Sequence, residues 1–270
     1  MKNTKFYLQA AMLLLPAFLS AQNVIPEPTQ YRPAKGQFVL TAAETKAFEA
    51  QDVLPGRVVQ CVISGSTPMD ADEAYHLKIT PDSVFIQSAT ATGAFRGKET
   101  LKQLLRSGKG TAKACVINDA PRYAWRGFML DESRHFFGKK KVKQLLDIMA
   151  SLRLNVFHWH LTDEPGWRIE IKKYPLLTQI GAKGNWHDPD APATFYTQDD
   201  IKEIVAYAAA RHIMVVPEFD MPGHATAACR AYPELSGGGE GRWKDFTFHP
   251  CKEETFRFIS DVLDLSLIHI

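Results

Sequence analysis

Two hydrophobic periods divide the chain. Before residue 121 the apolar positions come in short alternating runs. His76-Leu77-Lys78-Ile79 and Ser83-Val84-Phe85-Ile86 flank Thr80-Pro81-Asp82, the pattern of a hairpin closed by a turn. Gly93 to Leu105 carries apolar residues at 94, 95, 101, 104 and 105, which predicts a helix with one buried face. Asn118-Asp119-Ala120-Pro121 is turn-rich and marks a boundary. Residues 22–121 therefore predict a small α+β domain.

From Tyr123 the pattern changes to strand, helix, strand, helix. Gly127–Leu130 predicts a buried strand. Lys139–Leu154 is amphipathic, with Val142, Leu145, Leu146, Met149 and Leu152 on one face. Asn155–Thr162 predicts a second strand, and a long loop over 164–196 holds Trp167 and Trp186. Loops of this length are usually functional, but both indoles are expected to pack within it rather than stack on a ligand. Thr197-Gln198-Asp199-Asp200 caps a helix from Asp199 to Arg211. Ile213–Phe219 is a third strand; after a Gly-rich loop at 236–241, Glu253–Asp264 is a third helix. Such repetition predicts an α/β fold, a parallel sheet covered by helices, over residues 122–264.

Composition changes this picture little. Hydrophobic content of 45% and charged content of 23% are those of a folded globular protein. The formal charge is +2, and the excess positives, Lys2 and Lys5, open a segment that reads as an export signal. Phe6–Leu19 is its apolar core and Leu19-Ser20-Ala21 its cleavage site, so residues 1–21 are expected to be removed. The apolar core is shorter than the roughly twenty residues that span a bilayer, and no lipobox cysteine follows. The expectation is an exported protein, periplasmic, surface-bound or secreted, with no membrane span after cleavage. Without those lysines the charges balance, which points away from a nucleic-acid or anionic-membrane partner. Cys61, Cys115, Cys229 and Cys251 show no metal spacing; Cys61–Cys115 or Cys229–Cys251 could pair, and buried free thiols fit equally well.

The chemistry-bearing residues gather beyond the strand ends. Arg134 follows the first strand, Asp163 the second and His224 the third, and in a parallel α/β protein that rim is where sites are built. Alone, each has an ordinary reading: a rim salt bridge, a turn cap, a turn histidine. Together on three successive strand ends they read as one site. Glu218 and Asp220 alternate with Val215, Pro217 and Phe219, which places them in an interior polar network.

Three segments, R-G-F-M-L-D-E-S-R-H-F (126–136), N-V-F-H-W-H-L-T-D-E-P-G-W (155–167) and P-E-F-D-M-P-G-H (217–224), resemble the family-20 glycoside hydrolases, the β-N-acetylhexosaminidases. G-A-F-R-G-K-E-T-L-K-Q-L-L (93–105) is similar to the accessory domain that precedes the barrel in that family. The resemblance implies a (β/α)8 TIM barrel that removes terminal β-linked N-acetylglucosamine or N-acetylgalactosamine from glycans, without cofactor or metal. It implies substrate-assisted retention, in which the sugar's 2-acetamido carbonyl attacks the anomeric carbon, an exception to the two-carboxylate scheme. Arg134 matches the arginine that binds the ring hydroxyls, a task suited to a planar fork of donors. Asp163 and His224 match the couple that sets the protonation of the catalytic glutamate. Glu164 departs from the family's common Asp-Asp pair, which puts that second position alone in doubt.

The family's catalytic Asp–Glu pair, in an H-x-G-G-D-E motif, has no counterpart in this sequence. The expected architecture is thus an incomplete barrel, with roughly three strand–helix units of the eight a barrel needs. Residues 265–270, L-S-L-I-H-I, read as a non-native tail encoded by a library adapter; the alternative is that Ile268-His269-Ile270 opens a further strand. The 270-residue chain is expected to be hydrolytically silent and prone to association through unpaired strands. Two other classes compete. A metal-dependent barrel hydrolase would use the two imidazoles of His158-x-His160, and a non-catalytic carbohydrate-binding protein would need no Asp–Glu pair.

Overall fold

The computed structural model describes residues 24–51, 56–62 and 72–269. The expected export segment and the Cys61 side chain lie outside the described residues. No helix among the described residues is long and apolar enough to cross a membrane.

The first unit is a five-stranded sheet with two helices. Its strands are β1 (Gln30–Val39), β2 (Val58–Val62), β3 (Tyr75–Ile79), β4 (Val84–Ser88) and β5 (Thr111–Asp119), in the spatial order β1-β5-β3-β4-β2. β3 and β4 form the expected antiparallel hairpin, while the long antiparallel pairing of β1 with β5 closes the other side. Helix α1 (Ala42–Gln51) follows β1, and α2 (Ala91–Ser107) crosses the sheet. The Thr90 hydroxyl accepts the Gly93 amide and so fixes the start of α2. Close approach requires glycine there: a Cβ on Gly93 would lie 2.2 Å from the Ala74 carbonyl, and one on Gly97 2.7 Å from Ile86.

The second unit is a three-stranded parallel sheet of β6 (Gly127–Asp131), β7 (Val156–Thr162) and β8 (Met214–Phe219), joined through α3 (Lys139–Ser151) and α4 (Gln198–Ala209). Strand alternation on β7 decides what faces what. Phe157, Trp159 and Leu161 are fully buried in one core with Val142, Leu146 and Met149 of α3 and Ile201 and Ile204 of α4. Each such burial stabilises by roughly 1.5–3 kcal/mol. His158, His160 and Thr162 take the alternate positions, on the opposite face. The helix over 198–209 begins with a capping box made by Thr197 and Asp200. Two short additions escaped the periodic reading, α5 (Thr226–Ala231) and a π-helical turn at Leu177–Gly181 inside the long loop.

Several expectations are corrected. β6 is not buried: Phe128 and Met129 are 44% and 50% exposed, because the strand pairs with β7 on one side only among the described residues. Leu152 leaves the apolar face of α3, since the helix ends at Ser151 and Leu152 caps it, partly exposed. Trp167 is buried, but Trp186 is 62% exposed. The last helix, α6 (Glu253–His269), has no glycine or proline to stop it, so Ile268 and His269 continue it and do not open a strand. Cys115, Cys229 and Cys251 are free thiols, the first two buried.

The two units are locked together at the amino-terminal ends of β6, β7 and β8. Glu73 Oε2 accepts from Arg96 (2.7 Å) and from Arg126 (2.6 Å), and its Oε1 accepts from Asn155 (3.1 Å). Arg153 and His212, which follow α3 and α4 in left-handed conformation, reach down to α2. Arg153 donates to the Thr100 hydroxyl at 2.6 Å, and the His212 carbonyl accepts from Arg96 at 3.0 Å. This packing leaves the carboxyl-terminal ends of the strands free to build a site.

Candidate active site

Asp131, the last residue of β6, opens the first corner. Its Oδ1 accepts the Arg134 amide at 2.9 Å, and its Oδ2 takes Arg134 Nη1 at 2.6 Å. That i,i+3 clamp turns the guanidinium over the sheet, where Nη2 meets Asp163 Oδ2 at 2.6 Å. Asp163 follows β7 and is the hub. Oδ2 also accepts His160 Nε2 at 2.9 Å, while Oδ1 accepts the Glu164 amide at 2.6 Å and His224 Nδ1 at 2.9 Å. Four donors thus fill the lone-pair directions of a carboxylate whose side chain is 1% exposed.

The third corner is supplied by the turn after β8. His224 has a left-handed backbone, φ 53°, and its ring lies edge-on to Phe246 with centroids 4.9 Å apart. Because Asp163 is anionic, Nδ1 of His224 carries the proton between them, and Nε2 points away from the hub. Below this layer, His158 Nε2 and His160 Nδ1 both reach Glu218 Oε2, at 2.6 and 2.8 Å. The Asp220 amide donates to the Thr162 hydroxyl at 2.9 Å.

The charges follow from these contacts. Burial alone would raise the Asp163 pKa, but His160, the Glu164 amide, His224 and the Arg134 charge outweigh it and hold the carboxyl below its ordinary range. Burial opposes charge on His160 as well, yet hydrogen bonds to Asp163 and Glu218, with the charges of Glu218 and Asp131, carry that imidazole up to about 9. Glu218 is lowered, its burial outweighed by His160 and His158. Asp220 is raised, by burial and by the neighbouring carboxylates Glu218 and Asp163 against the opposing pull of His160.

Beneath the rim lies a second buried group. Glu132 Oε1 accepts from the Tyr196 hydroxyl at 2.7 Å, and its Oε2 accepts the Phe137 amide at 2.7 Å. Fully buried Arg168 donates to the carbonyls of Glu132, Ser133, Ala182 and Gly184. This ties the segment carrying Arg134 to the long loop. Trp186 belongs to that loop, its amide donating to the Arg134 carbonyl at 3.1 Å, which leaves its exposed indole near the rim.

The geometry brings Arg134, Asp163 and His224 onto one rim, and Glu218 and Asp220 into the polar layer beneath. Sequence reasoning missed Asp131, His160 as a partner of Asp163, and Phe246. Asp131 and His160 each stand three residues before a named site residue, so a closer reading of that spacing would have found them. Phe246 comes from a loop with no periodic signal. Two groups, His160-Asp163-Asp220 and Asp163-Glu164-His224, bring possible metal-ligand atoms within 4.8 Å of one another. The Arg134 guanidinium on Asp163 and the charge on His160 both oppose a cation there. The His158-x-His160 pair expected of a metal hydrolase instead converges on a single Glu218 oxygen.

The glycosyl hydrolase family 20 catalytic domain matches residues 123–267, and domain 2 of the same family matches residues 45–120. The chain belongs to glycosyl hydrolase family 20. A beta-hexosaminidase of Porphyromonas gingivalis is 33% identical over 299 residues, and a beta-N-acetylhexosaminidase of Cellulomonas fimi is 41% identical over 186. These alignments cover 95% and 68% of this chain, but 38% and 37% of the relatives. Among solved structures, N-acetyl-beta-hexosaminidase of Streptomyces plicatus superposes with a TM-score of 0.79 at 31% identity, covering 92% of this chain and 57% of the other. The beta-N-acetylhexosaminidase of Bacteroides fragilis gives 0.77 at 31%, covering 92% and 54%. The chain therefore spans between about a third and three-fifths of the length of these family-20 relatives. Its fold is an α+β accessory domain followed by part of a (β/α)8 barrel.

Proposed function

We propose that this chain forms the sugar-gripping part of a β-N-acetylhexosaminidase that acts on glycans ending in β-linked N-acetylglucosamine or N-acetylgalactosamine. The observation that carries the reading is Asp163, one buried carboxylate that holds Arg134 on one oxygen and His224 on the other. Arg134 spends two of its five N–H groups on Asp131 and Asp163 and is 39% exposed, so a rigid fork of donors remains for vicinal ring hydroxyls. His224 gives Nδ1–H to Asp163 and presents Nε2 to a catalytic glutamate supplied by a segment outside this sequence. In the reaction implied by the family resemblance, that glutamic acid protonates the leaving oxygen as the acetamido carbonyl closes on the anomeric carbon. A His–Asp couple beside it follows the change in its protonation between the two half-reactions.

Export fits the same reading, since Lys2, Lys5 and the apolar Phe6–Leu19 form a cleavable signal and extracellular glycans would be the substrate. The test is release of a chromogenic aglycone from a β-N-acetylglucosaminide by the gene product extended through the Asp–Glu pair. Hydrolysis is expected from that protein and not from the 270-residue chain. Hydrolysis by the short chain, or none by the extended one, would overturn the reading.

A further inference from the structure

His160 stands between two acids with both ring nitrogens engaged: Nε2 lies 2.9 Å from Asp163 Oδ2 and Nδ1 lies 2.8 Å from Glu218 Oε2. A neutral imidazole has one N–H and one lone pair. Either tautomer would aim that lone pair at a carboxylate oxygen inside a site where the ring is 5% exposed, and unscreened repulsion there is costly. The geometry points to His160 as a positioning residue, a bridge that is charged at neutral pH and fixes the Asp163 carboxylate so that Oδ1 remains the acceptor for His224. This rests on the proposed hexosaminidase reading only for what the bridge is for; its existence is a property of the described residues.

The carboxylates that face the ring all favour its charged form. Asp163 faces it from the end of its own strand, Glu218 and Asp220 from β8 and the turn beyond, and Asp131 from β6. The opposing cation is Arg134, itself paired to Asp131 and Asp163, and His158 shares the Glu218 oxygen. Four carboxyl groups against one arginine leave an excess of negative charge that the imidazolium offsets. The consequence for the rim is positional. With Oδ2 held by His160 and Arg134 together, Asp163 cannot rotate, and His224 Nδ1 has one fixed acceptor.

Solid-state 15N NMR of the histidine-labelled 270-residue chain reads the bridge without requiring solubility or activity. At about pH 8, where an ordinary imidazole is neutral, one histidine should show both ring nitrogens protonated. That signal should vanish in His160→Gln and move to a neutral tautomer in Glu218→Gln, which leaves Asp163 and the fold's core untouched. A neutral His160 at that pH, or one indifferent to Glu218→Gln, overturns the proposal. In the extended, active hexosaminidase, His160→Gln should lower kcat by about 10–100-fold, the loss seen when an outer-shell partner that orients a metal ligand is removed, with KM changed by less than about threefold. An unchanged kcat overturns the positioning role. If the unsubstituted extended enzyme is inactive, the functional reading fails, while the NMR result still decides the bridge.

Discussion

Replacing Asp163 with asparagine tests the hub at constant shape. The native carboxylate takes His160 and Arg134 on one oxygen and the Glu164 amide and His224 on the other, at 2.6–2.9 Å. Asparagine keeps one acceptor oxygen and presents an NH2 to the other pair of donors, so two contacts become donor against donor. Hydrogen bonds to charged groups are worth about 1.5–3 kcal/mol each, which sets an upper figure of about 6. Arg134 keeps Asp131 and His160 keeps Glu218, so part of that loss is recovered. The expected cost is about 3–5 kcal/mol, the range for breaking a buried ion pair and a large share of a domain's stability of about 5–15 kcal/mol. Urea unfolding of dilute protein at neutral pH measures it. The pH series gives a second reading. Asp163 titrates below its ordinary 3.8 in the fold, so its contribution is present above that value and drains as pH falls through the lower folded value. The gap between native and Asp163→Asn protein should therefore narrow in acid. A difference under about 1 kcal/mol at neutral pH, constant down the acid limb, would refute Asp163 as the hub.

Three further outcomes follow from the same contacts. Glu73→Gln removes the negative charge shared by Arg96 and Arg126 and turns one acceptor oxygen into an NH2 facing a donor, so it should cost about 2–4 kcal/mol, with faster proteolysis between Asp119 and Trp125; unchanged cleavage would show that the two units are held otherwise. His160 is raised from 6.5 to about 9, so its stabilisation is complete below 6.5 and is lost as pH rises through about 9; the urea midpoint should fall over that window, and His160→Gln should flatten the fall. Phe128, Met129 and Met214 are 44%, 50% and 51% exposed on β6 and β8, and apolar faces of this kind associate. Sedimentation velocity should show concentration-dependent assembly of the 270-residue chain, and a monomer at all concentrations would contradict that.

The fold was legible where one period ran long enough to state itself. The runs at 139–154 and 199–211 and the apolar strand at 155–162 predicted their elements, because burial against a sheet needs that spacing. The β1–β5 pairing was not legible, since it joins residues about eighty positions apart and depends on tertiary packing. The exposed face of β6 was misread because an apolar run carries no record of which neighbours cover it. Arg134, Asp163 and His224 could be named from the family resemblance together with their places after successive strands. The contacts that make them a site could not. Asp131 looked like part of a motif, and His160 looked like half of a metal pair until its ring was placed between two carboxylates. Trp186 shows the converse: an indole in a long loop gives no sign in sequence of whether it packs inward, as Trp167 does, or stands at the rim.

The most direct test of the central claim is an experimental structure with N-acetylglucosamine bound. The account predicts the sugar on the rim between Arg134 and His224, with the free guanidinium N–H groups of Arg134 within hydrogen-bond distance of its ring hydroxyls and the contacts of Asp163 unbroken. A sugar bound elsewhere, or one that leaves the Arg134 fork without a hydroxyl partner, would contradict it.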